Sequence, residues 1–438
     1  MSHQTEKTRE LVLWFFLPVL FSLLFVRLIY FQITEADFSF DKIDNRISQS
    51  KVIKSSRGKI VDRNDRILAE DIIFYDIGID LNYFSYKPDE IKFISDLLNI
   101  EEQNLRERSS NQRLKFIQIS KKVNREKVEA LKKEKIQGLV FDEKYYRNYP
   151  EGEAFSQLIG ITDINNDGLQ GIELSFQKSL DSSDGRIDLK RDGNGKVIEE
   201  VIVPEKDGDL IKLSIDSDYQ FIVFDELKRA VIENNASNAS AIMIDLDTEE
   251  ILAITNYPSF NPNDRKSLSD ISLVTNKASI SLLEPGSVLK PLSISLALDD
   301  ELINEDTLID TNPGWVEFED YRTEDFKNYG ILSVSEVIAK SSNVGTVKIC
   351  SQMNKSRVIS GIRSFGIGEF FSEMFLNHRE GFLPGEQNIS LRGLVSLCYG
   401  YGLQTTLLHI AKAYTGILND GIEANLKIIS SESNEIRR

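Results

Sequence analysis

The sequence predicts an α+β protein in which an N-terminal membrane helix precedes two extramembrane domains. Three observations support this prediction. Leu11 to Val26 is almost unbroken apolar sequence, residues 40–215 mix charged and apolar stretches irregularly, and from residue 216 apolar runs of strand and helix length alternate. We therefore divide the chain of 438 residues into a cytoplasmic tail (1–10), a transmembrane anchor (11–33), a mixed α/β domain (40–215) and a regularly patterned domain (216–438).

The N-terminal apolar run is long enough to be a membrane anchor. It continues past Arg27 from Leu28 to Phe31 and, with Gln32 and Ile33, can cross a bilayer core of about 30 Å at about 1.5 Å per residue. A cleaved signal peptide is the alternative, but no small-x-small cleavage site follows the run. We therefore predict an uncleaved anchor.

Charge and cysteine content narrow the functional classes. The formal net charge is −17, which argues against nucleic acid as a partner because binding phosphate needs basic clusters. The two cysteines, Cys350 and Cys398, both have apolar neighbours in sequence, and two buried free thiols are the preferred interpretation, with a disulfide as the alternative. No Cys/His cluster has metal spacing, so we expect no structural zinc.

The mixed domain contains two segments whose patterns are ambiguous. Leu105 to Leu131 is rich in charge with scattered apolar residues, which predicts a solvent-facing helical segment. Asp163 to Gly168 copies the first half of a calcium-binding EF-hand loop, but that loop needs glutamate at its twelfth position, where this chain has Leu174. We therefore predict a polar turn without calcium.

The second domain shows clearer periodicity. Ala241–Ile244 and Ile251–Ile254 are apolar runs on either side of a polar hexapeptide, which predicts a β-hairpin of a central antiparallel sheet. Ser287 to Leu298 and Leu407 to Leu418 are predicted as largely apolar helices.

The clearest chemical signal lies at the start of the first of these helices. Ser287 and Lys290 are three residues apart within Glu284–Pro291, and residues i and i+3 share a helix face. A neutral lysine can activate a serine hydroxyl without histidine, and the chain contains only three histidines. Alone, Ser-x-x-Lys is a very common pattern.

A second element, Ser341-Ser342-Asn343, follows downstream. Helix capping is the alternative explanation for Ser341. The order Ser-x-x-Lys and then Ser-x-Asn fits the serine acyltransferases that react with penicillin. The chain thereby resembles class B penicillin-binding proteins, most of all the septal, cell-division transpeptidases of Gram-negative bacteria. The resemblance covers about residues 9–421 and includes Arg57–Asn64, Asp167–Glu173, Tyr257–Asn263, Leu383–Glu386 and Tyr399–Leu403.

The resemblance implies a fold and four site residues. The mixed domain would be the family's pedestal, or dimerisation, domain, and the second would be the transpeptidase domain, an antiparallel sheet with helices on both sides. Ser287 would attack the D-alanyl-D-alanine carbonyl, and Lys290 would be the general base. Ser341 would relay the proton to the leaving amine, and Asn343 would hold Lys290 and the substrate amide. No cofactor or metal is implied.

The resemblance also implies partners and a location. The substrates would be peptidoglycan stem peptides, with β-lactams as covalent inhibitors. A septal glycan polymerase and other division proteins would be the protein partners. The protein would lie in the inner membrane as a single-pass protein, with its bulk in the periplasm.

One departure from the family keeps alternatives open. No Lys-Thr-Gly or Lys-Ser-Gly triplet follows Ser341, and the end from Ser430 to Arg438 is polar. We therefore expect a chain truncated at its C-terminus, with an incomplete transpeptidase domain that is weakly active or inactive, although a natural short form is the other reading. The alternative functions are an elongation-type class B transpeptidase, a β-lactamase or penicillin sensor, and a non-catalytic scaffold of the division machinery.

Overall fold

A computed structural model describes residues 2–30, 48–110, 114–191, 197–264, 270–318, 321–370 and 378–430. The chain divides into two compact units. One consists of Met1–Ser55 with Ser182–Asp207, and the other of Ser56–Asp181 with Gly208–Arg438. The predicted anchor residues 31–33, the start of the mixed domain at residue 40 and the polar end from residue 431 lie outside the described residues.

In its described residues, the smaller unit contains one helix and one sheet. Helix α1 spans Ser2–Tyr30. Strands β1 (Ser48–Ile53), β6 (Gly185–Arg191) and β7 (Val197–Val203) form an antiparallel sheet in the order β1-β6-β7. Among the ranges that the structure describes, no helix has both the length and the apolar character required to cross a membrane. The membrane anchor therefore stays a prediction.

The first part of the larger unit is a five-stranded mixed sheet with short helices. Its strands are β2 (Ile60–Val61), β3 (Ile67–Asp80), β4 (Phe116–Val123), β5 (Leu139–Asn148) and β8 (Ile211–Lys212). Their order is β4-β3-β2-β8, and β5 also pairs with β3. Its helices are α2 (Pro88–Leu98), α3 (Glu102–Ser109), α4 (Arg125–Lys133), α5 (Ser156–Ile159), α6 (Gly171–Ser175) and α7 (Gln177–Leu180).

The prediction of a helical segment from Leu105 to Leu131 is wrong in its middle. The chain forms α3, then strand β4, then α4. In β4, Ile117 and Ile119 are both buried, as alternation along a strand requires. The charged residues around this alternating pair masked the strand pattern.

A buried ionic network joins two of the sequence stretches that carry the family resemblance. Glu173 accepts a hydrogen bond from Arg57 Nε at 2.7 Å and from Arg147 Nε at 2.7 Å. Arg147 Nη1 also lies 3.2 Å from Asp71 Oδ1. The side chains of Arg57 and Arg147 are 2% exposed, and that of Glu173 is 0% exposed. Two positive and two negative groups thus compensate one another in the interior.

The Asp163 turn has the polar character that the sequence predicts. Asp163 Oδ1 accepts hydrogen bonds from the backbone N–H groups of Asn165 at 2.7 Å and Asp167 at 2.9 Å. The carboxylate thereby satisfies the backbone of the turn, as aspartate commonly does. In the described part of the chain, no three His, Cys, Asp or Glu side chains are grouped so that they could hold a metal ion.

The rest of the larger unit is mainly helical. The long helices are α8 (Ser217–Glu233), α11 (Lys290–Asp299), α13 (Asn343–Cys350), α14 (Lys355–Ser364), α15 (Leu391–Cys398) and α16 (Leu407–Leu418). The shorter ones are α9 (Ile271–Val274), α10 (Lys277–Ile280) and α12 (Val334–Ala339). The prediction of a helix from Leu407 to Leu418 is confirmed.

Three two-stranded pairs accompany these helices. They are β9 (Ala239–Asp245) with β10 (Glu250–Tyr257), β11 (Leu308–Asp310) with β14 (Ile331–Ser333), and β12 (Trp315–Phe318) with β13 (Tyr321–Glu324). The antiparallel β9–β10 pair confirms the predicted hairpin. Glu249 has a φ of 61° there, so it adopts the left-handed conformation that usually favours glycine.

Two large hydrophobic cores support this part of the chain. One includes Leu292, Ile349 and Leu397 and packs α11 against α13 and α15. The other includes Ile60, Ile254 and Ile428, so it is shared between the five-stranded sheet and the β9–β10 hairpin. The first core fixes the helix that follows Ser287.

Candidate active site

Ser287 lies in a short 3-10 helix, Gly286–Leu289, which leads directly into α11. Its side chain is exposed. The turn before it is tied to a neighbouring loop, because Gly286 N–H donates to the Gly400 carbonyl at 2.9 Å and Glu284 Oε1 accepts from Gly402 N–H at 2.9 Å. These contacts hold Ser287 at the surface end of a buried helix.

Gly400 is the residue at which this packing allows no side chain. Its φ is +88°, and a Cβ at this position would overlap the Gly286 carbonyl oxygen. Both conditions favour glycine. The Tyr399–Leu403 stretch that carries part of the family resemblance therefore has a direct structural role beside Ser287.

Lys290 is buried, with 1% of its surface exposed. Its Nζ donates to the Ser341 carbonyl at 2.5 Å and to Ser341 Oγ at 3.0 Å. Burial lowers the pKa of Lys290 to about 8, although the nearby Asp325 carboxylate raises it. A substantial neutral fraction near pH 8 makes Lys290 competent to accept a proton.

Ser341 and Ser342 have separate roles in the turn before α13. Ser341 is exposed and has a φ of 52°, the left-handed region. Ser342 is the N-cap of α13, and its Oγ accepts from Gly345 N–H at 2.8 Å. Capping is therefore the role of Ser342, which leaves the Ser341 hydroxyl for Lys290.

The expected contact of Asn343 with Lys290 is not formed. Asn343 Nδ2 donates to the Glu324 carbonyl at 3.0 Å. Among the described residues, no hydrogen bond links Lys290 to Asn343 or to Ser287. Ser287 and Lys290 share one helix start, and Ser341 and Asn343 share the turn that contacts it.

Two further residues contact this group of side chains and are not predicted from the sequence. Asp325 accepts hydrogen bonds from Ser342 Oγ at 2.6 Å and Val344 N–H at 3.0 Å. Tyr414 Oη donates to the Val288 carbonyl at 2.6 Å. Neither residue lies in a motif, and both contacts arise only from tertiary packing.

The preferred interpretation of two free thiols is wrong. Cys350 and Cys398 form a disulfide, with their Cα atoms 6.5 Å apart. Cys350 ends α13, and Cys398 ends α15 immediately before Tyr399. The bond therefore links the helix after the Ser341–Asn343 turn to the loop that contacts Gly286. The sequence does not reveal this pairing, because tertiary packing brings together two residues that are 48 positions apart.

A cavity of about 350 Å³ lies elsewhere. Its lining comes from residues 157–175, residues 274–280, His378 and Arg379, and it does not include Ser287. Volume alone would favour it as a ligand site. The candidate residues Ser287 and Lys290 lie outside this cavity, at one shared helix start.

The chain matches two family models. A penicillin binding protein transpeptidase domain covers residues 239–437, and a penicillin-binding protein dimerisation domain covers residues 52–213. The four expected site residues all lie in the first of these matches.

Several curated proteins that are similar to this chain are named as peptidoglycan D,D-transpeptidases. The peptidoglycan D,D-transpeptidase FtsI of Buchnera aphidicola subsp. Schizaphis graminum is 33% identical over 93% of this chain and 72% of its own length. FtsI of Escherichia coli K12 is 31% identical over 92% and 69%, respectively. The probable peptidoglycan D,D-transpeptidase PenA of Neisseria meningitidis serogroup A is 30% identical over 93% and 70%.

Solved structures have a similar fold. Penicillin binding protein 2X from Streptococcus thermophilus superimposes with a TM-score of 0.71 at 22% identity, covering 88% of this chain and 62% of the other. A peptidoglycan synthetase from Bifidobacterium adolescentis gives a TM-score of 0.67 at 21% identity, covering 87% and 75%. At this identity the likeness concerns the fold.

Proposed function

Because the chain belongs to the penicillin-binding proteins of the peptidoglycan D,D-transpeptidase family, we propose that it crosslinks peptidoglycan stem peptides through an acyl-enzyme on Ser287. The observation that carries the proposal is the contact of buried Lys290 with Ser341 at the helix start that presents Ser287. A base with a pKa of about 8, in contact with a second hydroxyl, thus lies at the helix start that carries an exposed serine.

The first half-reaction forms a bond from Ser287 Oγ to the carbonyl carbon of the penultimate D-alanine. Lys290 Nζ takes the hydroxyl proton, and the bond to the terminal D-alanine nitrogen breaks. The leaving amine receives its proton through Ser341 Oγ, which lies 3.0 Å from Lys290 Nζ. Asn343, with its amide held by the Glu324 carbonyl, binds the substrate amide.

The second half-reaction transfers the acyl group to an amine of a neighbouring stem. That amine attacks the ester carbonyl and loses a proton toward Lys290, and Ser287 regains its hydroxyl hydrogen as the ester bond breaks. β-Lactams would acylate the same serine, because their strained amide occupies the place of the D-alanyl-D-alanine bond.

Covalent labelling by a fluorescent penicillin tests the assignment. Ser287→Ala should abolish labelling, while Ser295→Ala is the matched control, because its hydroxyl donates to the Leu292 carbonyl within α11. Labelling of Ser287→Ala at the control's stoichiometry would refute Ser287 as the nucleophile.

A septal role is the finer part of the proposal. The stretches Ser341–Gly345 and Leu383–Glu386 support it over an elongation role. The protein partners would then include the septal glycan polymerase and other division proteins. A fluorescent fusion should collect at midcell, and a lateral distribution would support the elongation type.

Ser287→Ala also separates the enzyme from a non-catalytic scaffold. If cells depleted of the native protein divide normally with this variant, then the scaffold is the correct function. Failure to divide, with the variant present at the native level, supports the enzyme.

We also propose that the protein is held in the inner membrane by its N-terminal segment, with its bulk in the periplasm. The apolar sequence from Leu11 to Val26 and the Cys350–Cys398 disulfide support this location, since disulfides persist in oxidising compartments. Protease added to spheroplasts should digest the large domains, and full protection would contradict the proposal.

A further inference from the structure

Asp325, which follows strand β13, holds the turn that precedes α13. Its Oδ2 accepts the hydroxyl of Ser342 at 2.6 Å, and its Oδ1 accepts the N–H of Val344 at 3.0 Å. Asp325 N–H in turn donates to the Gly314 carbonyl at 3.0 Å. One half-buried carboxylate therefore uses both oxygens on the first turn of a helix, where backbone N–H groups lack partners within the helix.

The turn held by Asp325 is the one that contacts Lys290. Ser341 has the left-handed φ of 52°, a conformation that a non-glycine residue keeps only when its surroundings fix it. Asn343 Nδ2, which donates to the Glu324 carbonyl, adds a third bond from the same strand end. Through these contacts the Ser341 carbonyl and hydroxyl both face Lys290 Nζ.

We propose that Asp325 is a positioning residue for acylation, which holds the Ser341–Asn343 turn against Lys290 and sets the charge balance of that amine. The inference rests on the proposed function, because it concerns the same reaction. It adds to that reaction a carboxylate outside the Ser-x-x-Lys and Ser-x-Asn motifs.

The charges around Lys290 support the electrostatic part. Burial lowers the pKa of Lys290, and Asp325 is the charged group that acts against this effect. Four other titratable groups on the surrounding elements have partners of their own. These are Glu284 with Gly402 N–H, Glu324 with Arg322, Glu336 with Lys340, and Tyr414 with the Val288 carbonyl.

Asp325→Asn should therefore have two separable effects. The amide offers one acceptor oxygen where the carboxylate offered two, so the turn loses a hydrogen bond and acylation slows. The lost negative charge also lets the pKa of Lys290 fall further, so neutral lysine persists to lower pH. Because the neutral amine is the active form, the acidic limb of the rate profile should move to lower pH.

The test measures the second-order rate of acylation by a fluorescent penicillin from pH 6 to 9 on the full chain. For Asp325→Asn we expect about a tenfold lower rate on the alkaline plateau and an acidic limb at lower pH. For Ser342→Ala, which keeps the charge but loses the hydroxyl, we expect a similar loss and an unmoved limb. Glu317→Gln, an exposed carboxylate on the same hairpin, is the matched control and should behave as wild type.

Two outcomes would overturn the proposal. One is an Asp325→Asn profile that is unchanged or is lowered by one factor at every pH, since a purely structural role does not move the limb. The other is an unchanged plateau rate for Ser342→Ala, and this readout stands even if Asp325→Asn does not fold. If wild type is not acylated at Ser287, the proposed function itself fails, which is a distinguishable result.

Discussion

Glu173→Gln should destabilise the larger unit strongly. Glu173 accepts Nε–H bonds from both Arg57 and Arg147 at 2.7 Å, and its side chain has no exposed surface. The substitution keeps the shape of the side chain but leaves two buried guanidinium groups with Asp71 as the one remaining anion of the network. The stability therefore falls through uncompensated charge and not through a cavity.

The magnitude follows from the burial of the network. Removing one partner of a buried ion pair costs about 3–5 kcal/mol. We expect about 3 kcal/mol here, the lower end, because the amide oxygen still accepts one hydrogen bond. In the native network, burial lowers the pKa of Arg147, but Glu173 and Asp71 outweigh it and raise the pKa overall.

Urea unfolding of the full chain, followed by far-UV circular dichroism, measures this loss as a lower midpoint. Glu129→Gln provides the matched control, because Glu129 pairs with Arg125 on the surface, where the side chains are 57% and 79% exposed. Exposed pairs of this kind contribute little to stability. If Glu173→Gln and Glu129→Gln unfold at the same urea concentration, the reasoning about the network is wrong.

Three further predictions concern the Ser287 region. The acylation rate should rise with pH through about 8, because the pKa of Lys290 is lowered to that value and only its neutral form is a base; a flat profile from pH 6 to 9 would contradict this. Replacing both Cys350 and Cys398 by alanine should cost about 4 kcal/mol, as the loss of a cross-link that closes a loop of this length, and unfolding with and without reductant would check it. Gly400→Ala should lower penicillin labelling at least tenfold through its overlap with the Gly286 carbonyl, whereas wild-type labelling would show that the turn can adjust.

Local periodicity accounts for the parts of the fold that the sequence predicts. Leu407–Leu418 keeps a helical repeat without interruption, and the β9–β10 hairpin has two apolar runs around a polar turn. In Leu105–Leu131 the signal failed, because a short alternating strand lies between two charged helices. In that segment the charged residues of the two helices hid the short alternation of buried and exposed residues in β4.

The same distinction between local pattern and tertiary packing applies to the residues of the candidate site. Ser287 and Lys290 are three residues apart, so their shared helix start follows from spacing alone. The contact of Lys290 with Ser341 spans 51 residues. The resemblance to a family assigned both residues to one site, but the contact that it implied for Lys290 was with Asn343. Asp325 and the disulfide carry no local pattern, because tertiary packing alone brings their partners together.

Contacts between distant segments also limit how much of this protein can fold while it is still being synthesised. Ile251 N–H, at the start of strand β10, donates to the carbonyl of Lys427, and Ser214 N–H donates to that of Ile428. At about 5–20 residues per second, roughly 10–35 s separate the synthesis of Ile251 from that of Lys427. During that interval the N–H at the start of the apolar β10 strand lacks this partner, so a nascent chain exposes an unpaired backbone group until its later segment emerges.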